Sequence, residues 1–164
     1  MSVEEQGRIS NRLRIFFAVC SVVFLGVLAI SPIREQLRAW KDYKRAYVRF
    51  AESRPETRRL LADFHPGLDQ IWLPQLNVTD RCTTCHQGID QPSLMDTSPP
   101  QPFRAHSIIP HRATEWGCVV CHQGQGLATE VKEAHQATLS WEKPLVPVKY
   151  IQASCGVCHR SNMA

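Results

Sequence analysis

Cys82-Thr83-Thr84-Cys85-His86 sets two thiols and an imidazole in fixed register, and the chain carries this arrangement three times. It returns as Cys118-Val119-Val120-Cys121-His122 and as Cys155-Gly156-Val157-Cys158-His159. Two cysteines separated by two residues can take the two vinyl groups of one haem as thioethers. The histidine that follows is then held against the iron as its proximal ligand. Six of the seven cysteines fall in these motifs, and every motif carries the histidine. The pattern predicts three covalently attached c-type haems, bound through Cys82, Cys85, Cys118, Cys121, Cys155 and Cys158, with His86, His122 and His159 on the irons. Structural zinc is the first alternative, but it usually draws two such pairs onto one ion, which leaves a third pair over and the trailing histidines unexplained. Disulfide pairing would also use six cysteines, and it makes no demand for the histidines either.

What fills the sixth position of each iron decides its chemistry. A haem closed by two strong ligands passes electrons, whereas an open one takes small molecules. Four histidines remain after the proximal three: His65, His106, His111 and His135. His106, His111 and His135 are expected as distal ligands, because two precede the second motif closely and one ends a short helix after it. His65, beside a helix stop, is the spare or the replacement for one of them. Met95 and Met163 are weaker candidates that would raise the potential of one site. Ordinary surface placement stays open for each of these histidines taken singly.

The elements that must hold these residues are few. The chain has 164 residues, of which 43% are hydrophobic, and part of that share sits in one early run. The remainder is poor in core material and rich in turn formers, with 11 prolines and 8 glycines. The expected fold is mostly α with extensive loops: one N-terminal transmembrane helix continuing into a stalk, then a small haem-cored domain with little sheet. Residues 15–33 carry no charge, and as a helix they span about 28 Å, close to one hydrocarbon core. A cleaved signal peptide is the alternative, but Ala29-Ile30-Ser31 would leave Pro32 as the new first residue. The expected organisation is a cytoplasmic N-terminus (1–14), a membrane anchor (15–33), a basic amphipathic helical stalk (34–65) and a periplasmic triheme domain (66–164).

Orientation sets two rules against each other. Arg8, Arg12 and Arg14 precede the apolar run, and a larger group, including Arg34, Arg38, Lys41, Lys44, Arg45 and Arg49, follows it. The positive-inside bias alone would put the C-terminal side in the cytoplasm. Haem attachment occurs on the outer face of a bacterial inner membrane, and that requirement outweighs a bias. Cys20, within the apolar run, reads as a plain packing residue.

Leu37, Trp40, Tyr43, Tyr47 and Phe50 recur at helical spacing after the anchor, as a solvated helix with one packed face or as a docking face for partner helices or headgroups. Ser53-Arg54-Pro55-Glu56 reads as a capping box opening a helix to about Phe64. Residues 66–81 read as a linker broken at Pro74 and Asn77, with Thr79 or Asp80 capping the first motif. Residues 91–102, with four prolines, read as a surface loop. Thr129 to His135 reads as a short helix, and Pro144 and Pro147 as an extended return to the third motif. The first cysteines lie 36 and 37 residues apart, and Cys-His-Gln-Gly recurs in the first two motifs, a period that resembles duplicated units.

The three motifs, with Pro102-Phe103-Arg104-Ala105-His106 ahead of the second, resemble the multihaem c-type cytochromes with bis-histidine haems. The single N-terminal anchor is similar to those of membrane-bound members that pass electrons between quinones and periplasmic partners. The resemblance implies electron transfer in a subunit of a respiratory or other membrane redox complex, with other subunits and a periplasmic donor or acceptor as partners. The quinol-oxidising branch usually carries more than three haems, so direct quinone contact is the less favoured expectation. The alternatives are a small multihaem reductase with one open haem, acting on a small inorganic substrate, and an anchor whose haems only brace the fold. The formal charge of +4 is local to the early basic stretch, and no nucleic-acid module accompanies it.

Overall fold

A computed structural model describes residues 3–95, 99–135 and 143–159, so Met163 and the middle of the proline-rich loop lie outside the described residues. The chain is mostly helical and divides into two compact units, one ending at Arg38 and one beginning at Ala39. The first unit is helix α1, Val3–Gln36. Its most apolar 18-residue stretch has a mean hydropathy of 2.6, and none of that stretch is buried. Phe16, Phe17, Val22, Phe24 and Leu25 are all well exposed, an arrangement that suits a lipid surround and not water. By length and composition α1 can cross a membrane.

The helix does not run on into a stalk. α1 ends at Gln36, and a new helix, α2, begins at Ala39 and runs to Glu52. α2 buries Trp40, Lys44, Tyr47 and Ala51 within the second unit. Of the two readings of the aromatic stripe, the helix with one packed face holds for Trp40 and Tyr47, which the second unit itself covers, while Leu37 stays exposed. Tyr47 and Ala51 form the core with Leu60, Leu94 and Phe103, and Phe50 and Phe64 pack against it. Tyr47 meets Phe103 edge-on at 5.3 Å between ring centres, and Phe50 stacks on Phe103 at 6.1 Å. Contacts of this kind add about 0.5–1.5 kcal/mol each beyond the burial of apolar area.

Three local expectations change for physical reasons. The capping box does not form: Ser53 Oγ turns back to donate to the Phe50 carbonyl at 2.7 Å. Pro55–Leu61 is instead a 3₁₀ helix without a side-chain cap, and Thr57 Oγ1 ties it to α2 by donating to the Ala51 carbonyl at 2.9 Å. The linker is an antiparallel hairpin of β1, Ile71–Leu73, and β2, Val78–Asp80, with Ile71 opposite Asp80. Its breakers sit in the turn, Pro74 opening a 3₁₀ turn and Asn77 closing it with left-handed backbone. Residues 91–102 are also more than a surface loop, because Pro92–Leu94 forms a 3₁₀ turn that buries Leu94 in the core.

The rest of the second unit consists of short pieces. They are α3 (Ala113–Trp116), α4 (Val119–His122), α5 (Val131–His135) and a 3₁₀ helix, Val148–Val157. The helix expected before His135 is present as α5, and residues 144–147 reach the last helix without regular structure. Asp90 seats α3 by accepting from the Ala113 and Thr114 amides at 3.2 and 2.7 Å. Beyond Phe103, the only buried apolar side chain among the described residues is Ala113. The stretch with the second and third motifs thus has almost no apolar core of its own.

Candidate cofactor-binding centres

Each motif folds into the same single turn. The second cysteine's amide bonds to the first cysteine's carbonyl at 3.1, 3.1 and 3.2 Å in motifs one to three. The histidine amide bonds to that same carbonyl at 3.0, 2.8 and 2.8 Å. Spacings of three and four residues fall on one face of a helical turn, so the two sulfurs and the imidazole are presented together. All seven cysteines are free thiols, so no disulfide uses the motif pairs.

The structure sets one further histidine against each motif histidine. His86 faces His135 of α5 with ring centres 6.0 Å apart. His122 of α4 faces His106 at 6.2 Å, and His159 faces His111 at 5.9 Å. Two imidazoles that held one metal ion between them from opposite sides, each at about 2.0 Å through a nitrogen about 1.1 Å from the ring centre, would have their centres about 6 Å apart. All three pairs have that separation. The donor set of two thiols and two imidazoles, repeated three times, fits three c-type haems. His65 stands apart, with its Nδ1 3.4 Å from the Asp69 carboxylate. Met95 is half exposed.

The tautomer of His106 is set by its neighbour. His106 Nδ1 lies 2.8 Å from the Ser107 carbonyl; a carbonyl can only accept, so the proton sits on Nδ1 and the lone pair on Nε2. Burial holds the His86 and His122 imidazoles below their ordinary pKa, with the facing His135 and His106 adding to the effect. Burial likewise pushes the Cys85 thiol up to about 11. Such a thiol stays protonated near neutral pH, which disfavours spontaneous metal capture.

Two groups outside the motifs build the first turn; the sequence shows no sign of the first and only half the role of the second. Lys44, with only 5% of its side chain exposed, bonds Asp69 Oδ2 at 2.6 Å and the His65 carbonyl at 2.8 Å. Gln87 Nε2 donates to the same Asp69 oxygen at 2.7 Å, and Thr84 Oγ1 bridges the Asp69 amide and carbonyl at 2.9 and 3.0 Å. This network bolts the first motif to α2. Replacing Lys44 by Ala removes the ammonium from the Asp69 carboxylate. We expect a loss of about 2–4 kcal/mol in chemical unfolding, somewhat below a fully buried pair because Asp69 keeps part of its side chain in water.

Asp80 is the second group. The sequence places it, or Thr79, as a cap for the first motif, and its Oδ1 does accept from the Cys82 amide at 2.8 Å. Its Oδ2 also accepts from the Cys118 and Val119 amides at 2.6 and 2.8 Å, so one carboxylate caps two motifs. Glycines permit the close packing: Gly117 has φ +69°, and a side-chain carbon there would lie 2.8 Å from Asp80 Oδ2. A side-chain carbon at Gly88 would collide with the Phe103 carbonyl, which passes directly over it. Asp80, Cys82 and Cys118 form the one metal-like cluster among the described residues. It takes a single cysteine from each of two motifs, and its carboxylate is already occupied by amides, so it is not the four-ligand zinc site weighed as the alternative.

No family model matches this chain, and no curated protein or solved structure matches it.

Proposed function

We propose that the chain is an electron-transfer subunit carrying three c-type haems, anchored by α1 in a bacterial inner membrane with the haem-bearing unit on the periplasmic side. It works within a respiratory or other membrane redox complex, between other subunits and a periplasmic donor or acceptor. The observation that carries this reading is the threefold pairing of motif histidines with His135, His106 and His111 at 5.9–6.2 Å. Bound haem supplies a reversible one-electron couple. Cys82, Cys85, Cys118, Cys121, Cys155 and Cys158 would attach it, the pairs His86 with His135, His122 with His106 and His159 with His111 would hold its iron, and Ser107 fixes the tautomer of His106. A closed position leaves no site for a substrate to bind the metal, which favours a carrier over a reductase.

The test is spectroscopic. The protein purified from membranes is expected to show c-type, wholly low-spin spectra and, when reduced, negligible carbon monoxide binding. It should give no turnover with nitrite or hydroxylamine alone, while a protein acceptor reoxidises it rapidly. Stoichiometric carbon monoxide binding at one centre, together with steady turnover, would establish the small-molecule reductase instead.

A further inference from the structure

We infer that Asp80 is a positioning residue shared by the first and second centres, joining the two motif turns through its hydrogen bonds and setting one negative charge against both. The inference rests on the electron-transfer reading and deepens it. Asp80 is fully buried. Its two oxygens take three amide hydrogens, from Cys82 on one side and from Cys118 and Val119 on the other. An ionised carboxylate is an acceptor only, and three donors with no acceptor of its own proton is the setting of that form. The residues it joins are 36 apart in the chain, yet the Cys82 and Cys118 sulfurs and the carboxylate lie within 4.8 Å of one another. Among the described residues, the hydrogen bonds of Asp80 go to the first two motifs and none to the third turn.

A buried anion beside an iron favours its more positive, oxidised state, and low local polarity makes the effect large. Asp80 therefore lowers the potentials of the first two centres together and leaves the third apart. Asp80→Asn keeps the shape and removes the charge. A redox titration of the full-length protein, after its haem content is measured, is expected to raise two of three potentials. The expected change is at least about tenfold in reduction equilibrium constant, which is about 59 mV for one electron. The third potential, identified as the centre that His111→Ala turns high-spin, stays where it was. Asp80→Glu, which restores the charge, should bring the two back toward wild type. Three unmoved potentials in a fully loaded Asn variant, or a shift confined to one centre, overturn the inference. If neither variant retains its haems, the wild type decides through hydrogen exchange. The Cys82, Cys118 and Val119 amides should then be among the slowest in their unit, and exchange as fast as in the proline-rich loop overturns the shared cap. Wild-type protein without haem would sink the electron-transfer reading itself, and amide exchange alone would then judge the joint.

Discussion

The intact protein extracted from membranes is expected to weigh the polypeptide plus three haems, and to lose one haem when the first or the third cysteine pair is replaced. Cys82→Ala with Cys85→Ala, or the same change at Cys155 and Cys158, should leave two haems per chain by absorbance against protein mass. The physical reason is that each turn presents its own sulfurs and imidazole through hydrogen bonds closed within the motif, so one attachment does not wait on another. The second pair should cost more. The Cys118 and Val119 amides share Asp80 with the first turn, and the His122 carbonyl accepts from the Val146 amide on the path to the third. Cys118→Ala with Cys121→Ala is therefore expected to give a mixture containing fewer than two haems, and lower stability than either other double variant. A wild-type mass without haem, or one matching zinc, would remove the cofactor assignment at its root.

That second-motif effect is also where the sequence stops being readable. A C-x-x-C-H segment encodes its own turn, since spacings of three and four residues are one helical repeat, and all three turns are legible from residues alone. The cap at Asp80 is half legible: an aspartate two residues before Cys82 announces a local turn. Nothing in the chain announces that its other oxygen will serve amides 38 and 39 residues further on, because a backbone N–H has no signature. The aromatic stripe of α2 is likewise visible as a packed face, but its periodicity is blind to what covers it. Leu94, from the stretch that proline content marks as loop, and Phe103 just beyond it turn out to be the cover, and the expected stalk becomes core. The failed capping box shows local competition: Ser53 finds an acceptor in the Phe50 carbonyl behind it. The apolar length of α1 is read directly from composition, whereas its end at Gln36 is not, since Leu37 and Arg38 are ordinary helix formers.

Removing one distal histidine is expected to open one particular centre, and the pairing says which. His135→Ala should turn the His86 centre high-spin, His106→Ala the His122 centre and His111→Ala the His159 centre, each with new carbon monoxide binding at a single haem. His65→Ala should leave the low-spin spectrum unchanged, because its ring is directed at Asp69. The centres can be told apart by their ring planes. His86 and His135 cross at 79° and His122 and His106 at 71°, whereas His159 and His111 lie at 32°. Near-perpendicular imidazoles leave the two iron orbitals that carry the unpaired electron close in energy, which gives a strongly anisotropic paramagnetic resonance signal. Rings nearer to parallel separate those orbitals and give an ordinary rhombic one. Wild-type spectra should therefore contain two signals of the first kind and one of the second. His111→Ala should delete the rhombic signal alone, and His106→Ala or His135→Ala one of the anisotropic pair. If His65→Ala produces the high-spin haem while one of the other three is silent, the set of distal ligands has a wrong member. If His106→Ala removes the rhombic signal, the ligands are right and the pairing is wrong.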